Sequence, residues 1–180
     1  MRSVKFQVMF LIEPCCAPKH FPALVKSLGT GGTSWWHGYG DLSLSELLQA
    51  ILLRCSDTEM LLVAPSLPDM AAEEVAKGLR RRWAKADGTG SVYALSRLTL
   101  ITDLSEKRSP LASTWLKDNP FGERLMLKNV QQNDTAILLP DLALFGPINL
   151  TYGGHFTAIA TKNTRTIATL RTQYEALSKR

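Results

Sequence analysis

Residues 129–177 read NVQQNDTAILLPDLALFGPINLTYGGHFTAIATKNTRTIATLRTQYEAL, and this stretch decides the fold. Two short apolar strands come first. A sharp Gly146-Pro147 corner follows, then a further strand and a closing amphipathic helix. Asn133-Asp134 supplies turn chemistry ahead of the first strand. Gly153-Gly154 allows close backbone approach just before His155.

Working outward from there, Leu125 to Asn129 reads as a strand. Ser109-Pro110 opens a short helix, with a cap residue and then proline at the first helical position, and Pro120 ends it. Leu98 to Asp103 is a strand with Asp103 at its C-terminal end, where open α/β sheets place ligands. Asp69 to Ala86 reads as a helix capped by Asp69, with Val75, Ala76, Leu79 and Trp83 on its inner stripe. Met60 to Ala64 is continuously apolar, as expected of a strand buried on both faces. Asp41 to Cys55 is a helix with a capping box at Ser43 and Glu46. Phe21 to Leu28 suits a short helix. The glycines at 29–32 and 38–40 bracket Ser34-Trp35-Trp36-His37 as a loop. They lack the Gly-Lys-Ser/Thr that a phosphate loop needs. Val4, Phe6, Val8, Phe10 and Ile12 alternate as one face of an N-terminal strand.

This alternation predicts an α/β fold, a mixed and mostly parallel sheet with helices on both faces. All 180 residues fit one domain. Residues 1–40 are its N-terminal strand and irregular Gly/Trp-rich segment, and 41–180 its core. The formal charge of +5 leans mildly toward anionic partners. The odd cysteine count, Cys15, Cys16 and Cys55, writes no disulfide framework and no paired zinc site. A reducing, cytoplasmic compartment is the expectation. No secretory leader and no membrane span is legible, and no cofactor or metal is expected.

The order strand, hairpin, corner, strand, helix resembles the C-terminal half of a phospholipase D-like domain, over roughly residues 41–180. In that family a strand carries H-x-K-x4-D, and a G-S-x-N corner follows the hairpin. Here the corner is Gly146-Pro147-Ile148-Asn149. Counting back with the family spacing, Gln132 takes the histidine position, Asp134 the lysine position and Leu139 the aspartate position. The resemblance implies metal-free phosphodiester chemistry, in which one histidine attacks phosphorus and a second protonates the leaving group. None of His20, His37 and His155 has lysine two positions on. Glutamine cannot serve as that nucleophile, and Asp134 puts negative charge where phosphate would sit. The expectation is a catalytically inactive module of this family.

The candidate binding residues at the old site are Gln132, Asp134, Asn149, Tyr152 and His155. A plain structural role competes with binding: Asn133-Asp134 as a turn, Asn149 as a cap on the corner, His155 as a hydrogen-bonded residue at a strand start. Arg80-Arg81-Arg82 is the densest basic run and the candidate nucleic-acid contact, against a solvated helix face; the final helix adds Lys162, Arg165, Arg171, Lys179 and Arg180. Two functions follow. One is an inactive module that binds nucleic acid or a protein partner. The other is a phosphodiesterase or nuclease rebuilt around Asp134 and His155. Single-motif relatives pair two half-sites, so the resemblance also implies a homodimer.

Overall fold

The computed structural model describes residues 7–8, 30–38, 44–53, 55–85, 88–131, 133–146 and 156–177. Strand β3 spans Thr58–Val63. Its last four residues, Met60 to Val63, are 2% exposed or less. Successive strand side chains point to opposite faces. Met60 and Leu62 therefore join one apolar cluster, and Leu61 and Val63 another. Each fully buried side chain of this size contributes about 1.5–3 kcal/mol.

Around β3 runs a mixed sheet whose eight described strands lie in the order β1-β2-β10-β9-β8-β3-β6-β7. The others are β1 Gln7–Val8, β2 Thr33–Gly38, β6 Leu95–Thr102, β7 Leu125–Asn129, β8 Thr135–Leu138, β9 Ala143–Gly146 and β10 Phe156–Thr161. Strands β3, β6 and β7 are mutually parallel, as helical crossovers between them require. The expectation of a mostly parallel sheet needs correction. Four of the seven pairings are antiparallel: β3 with β8, β8 with β9, β9 with β10, and β10 with β2. The cause is the chain after β7. Only residues 139–142 join β8 to β9, and so short a link can only fold back on itself.

Helices α1 Leu44–Leu52, α2 Asp69–Arg80 and α3 Pro110–Asp118 place buried residues in the cluster with Met60 and Leu62. Helix α4, Thr164–Leu177, places Ile167 in the other cluster, and Leu170 and Tyr174 pack against it.

Two further expectations need correction. The predicted helix over 69–86 ends at Arg80, and Arg81 is already extended, with ψ 129°. Arg82–Ala84 becomes strand β4, paired antiparallel with β5, Ser91–Tyr93. Gly88 and Gly90, both at positive φ, turn the chain between them, and aromatic residues on both arms favour the strand. Residues 34–37 are not a loop but part of β2, which pairs with β10 from Gly38↔Phe156 to Thr33↔Thr161. Gly31, at φ 71°, turns the chain just before it. The predicted helix at 21–28, the capping box at Ser43 and most of the predicted N-terminal strand lie outside the described residues.

The starts of α2 and α3 are tied together. The expectation that Asp69 caps its own helix fails, because α2 has no side-chain cap. Instead the Leu111 N–H in the first turn of α3 donates to Asp69 Oδ1 at 3.0 Å. In return the Leu67 N–H, just ahead of α2, donates to the Ser109 Oγ at 2.9 Å. Each chain entry satisfies an orphan amide of the other.

Candidate functional site

Strands β3, β6 and β7 end together at Val63, Thr102 and Asn129. The first residue of β8, Thr135, pairs with Gly146 at the end of β9, and Ala136 pairs with Val63. Asp134, immediately before Thr135, therefore stands at the carboxyl edge of the parallel strands beside Gly146. This is the edge where open sheets carry ligands, and the α2 and α3 N-termini open on it.

Asp134 is exposed. The strand period puts it on the same face as Ala136 and Leu138, which belong to the cluster of α4. Tyr174 of α4 senses it. Burial of that phenol raises its pKa, and the Asp134 charge adds to the rise. Gln132, Asn149, Tyr152 and His155 lie outside the described residues.

Asp103, at the end of β6, is engaged locally. The Ser105 N–H donates to its Oδ1 at 3.0 Å, and Arg108 approaches its other oxygen at 3.9 Å. Hydrogen bonds from Ser105, the backbone one first, hold its carboxyl below the usual range. Asn129 is similarly occupied, accepting from the Leu104 N–H at 3.0 Å. Among the described residues, no group of three or more histidine, cysteine or acidic side chains is placed to hold a metal ion.

The basic run sits at the opposite edge. Arg80 ends α2, Arg81 is the bend and Arg82 opens β4, so the three do not share one helix face. Arg80 lies over the Phe121 ring at 5.4 Å. Arg82 lies 4.8 Å from the Tyr93 ring centre and donates to the Tyr93 hydroxyl. A residue that sequence reasoning missed completes the group. Arg124 stacks on the same tyrosine at 3.6 Å and donates to the Leu79 carbonyl at 2.5 Å. Nothing in the sequence pairs residues 82, 93 and 124; the fold brings the β4–β5 hairpin to the turn before β7.

No protein-family profile and no curated protein matches the chain. Solved structures do. The polyphosphate kinase of Porphyromonas gingivalis superposes with a TM-score of 0.55 at 15% identity, over 94% of this chain and 27% of that one. The phosphatidylserine synthase of Haemophilus influenzae Rd KW20 gives 0.52 at 13% identity, over 88% of this chain and 44% of that one. Both are phospholipase D family members. The fold is phospholipase D-like. TrmBL2, an archaeal chromatin protein with its own mode of DNA binding, gives 0.50 at 13% identity, over 88% of this chain and 56% of that one. The chain thus spans about half or less of the length of each of these proteins. Among the described residues no helix is long and apolar enough to cross a membrane.

Proposed function

We propose that residues 1–180 form a single phospholipase D-like module, covered by helices on both faces of its sheet, that binds nucleic acid without cleaving it. The observation that carries this reading is Asp134. It stands exposed just before β8, and the family spacing read from the sequence assigns it the position of a phosphate-binding lysine and gives Gln132 that of the nucleophilic histidine. A carboxylate there repels a phosphodiester from the carboxyl edge, and an amide cannot form the covalent phosphorus adduct. The basic charge of the chain favours a polyanion elsewhere on the surface. TrmBL2 shares the fold and binds DNA, which agrees with the reading without carrying it.

The test is hydrolysis of bis-p-nitrophenyl phosphate by the purified chain, with and without chelator. The expected rate is that of buffer alone. Turnover that survives chelator and disappears in His155→Ala would replace this reading with the rebuilt phosphodiesterase. In the proposed assembly two copies form a two-fold homodimer through one self-complementary surface.

A further inference from the structure

We propose that the guanidiniums of Arg80, Arg82 and Arg124, gathered around Tyr93 and Phe121 at the amino edge of the parallel strands, form a binding site for the phosphodiester backbone of nucleic acid. The inference rests on the nucleic-acid reading above and gives it a location.

Arg82 and Arg124 share one tyrosine ring, at 4.8 and 3.6 Å from its centre. Like charges drawn this close repel unless an anion joins them. No carboxylate does so among the described residues. The ion pairs Glu74–Lys77, Asp103–Arg108, Glu106–Lys117 and Arg171–Glu175 involve neither arginine. The ring faces offset part of the repulsion through cation–π attraction, and they also hold the forks in place. The Tyr93 hydroxyl accepts from Arg82. The Leu79 carbonyl, in the last turn of α2, accepts from Arg124, where a cation is favoured. Arg80, exposed at the end of the same helix, rests on Phe121, three residues before Arg124. Planar forks fixed in this way match phosphate oxygens and lose little freedom on binding.

The location also suits the chemistry. Tyr93 and Arg124 precede β6 and β7, whereas Asp134 lies beyond the far end of β3. The eight residues of β6, at about 3.3 Å each, put the two edges roughly 25 Å apart. The Debye length at physiological salt is about 8 Å, so Asp134 does not weaken this site.

The experiment is fluorescence anisotropy with a labelled DNA duplex and the matching single strand, each at low and at physiological salt. The proteins are wild type, Arg80→Gln/Arg82→Gln, Arg82→Lys and Lys117→Gln, with a melting curve for each to confirm folding. Lys117 already pairs with Glu106 and serves as the control. On the duplex the double variant is expected to bind more weakly, with a slope of log K against log salt shallower by about 0.9 for each guanidinium removed. Arg82→Lys is expected to keep the slope, and Lys117→Gln to match wild type. A folded double variant that binds like wild type would overturn this site while leaving the nucleic-acid reading standing. Absence of wild-type binding to both DNAs at low salt would overturn the reading itself.

Discussion

Ser109→Ala tests the junction that aims two helix N-termini at the carboxyl edge. Ser109 is fully buried, as are Leu67 and Thr102. Its Oγ accepts from the Leu67 N–H at 2.9 Å and lies 3.5 Å from the Thr102 Oγ1. Alanine removes the acceptor and leaves the amide buried with nothing to bond. The penalty for stranding a buried donor is about 1–3 kcal/mol, more than an ordinary hydrogen bond contributes. For a chain of this size each kcal/mol moves the melting temperature by about 2–4 °C, so a loss of about 2 kcal/mol lowers it by about 4–8 °C. Thr114→Ala is the control, an exposed change on the same helix expected to stay within about 0.5 kcal/mol. The assay is thermal unfolding followed by circular dichroism, repeated in urea to obtain the free-energy change. Coincident curves for Ser109→Ala and wild type would refute the reasoning, since they would mean that the Leu67 amide finds another acceptor at no cost.

Two further outcomes follow. The folded pKa of Asp103 lies below its ordinary value, so its contribution to stability is present above the usual carboxylate range and is lost as the pH falls through the folded pKa. The melting-temperature gap between wild type and Asp103→Ala should accordingly be widest near neutrality and close in acid; a gap independent of pH would contradict the assignment. The proposed homodimer should show twice the chain mass by light scattering at micromolar concentration, and a monomer mass there would remove it.

The sequence was most readable where burial leaves one solution. The continuous apolarity of Met60 to Ala64 announced a strand buried on both faces, and the structure puts β3, Thr58–Val63, inside the sheet between β8 and β6. The hairpin of β8 and β9 was legible from its two apolar runs, and it was enough to suggest the fold without any family profile. Other features escaped. Trp35 and Trp36 sit between glycines, which mark turns as readily as strand ends, so β2 read as a loop until its pairing with β10 supplied the missing partner. Arg81 to Trp83 continues a helical pattern in one dimension, and only the β5 arm, eight residues on from Trp83, claims Arg82 and Trp83 for a strand. Asp69 had the right chemistry for a cap but serves the neighbouring helix. Local pattern names a residue's capacity; the partner that uses it is chosen in three dimensions.

The two edges of the sheet also explain how phosphate affinity and phosphate cleavage can part company in the proposed function. Cleavage needs a nucleophile and cations converging on one phosphorus, so a single acidic residue at the start of β8 opposes it. Backbone binding needs only cations spaced along a surface, and it tolerates change at any site more than a Debye length away. Arg124 is held by the end of α2 and Arg82 by the hydroxyl and ring of Tyr93, both at the amino edge. The charge at Asp134 bears instead on α4, where it disfavours ionisation of the Tyr174 phenol. In the proposed function, the chemistry of the carboxyl edge and the surface that holds nucleic acid are therefore set by separate residues.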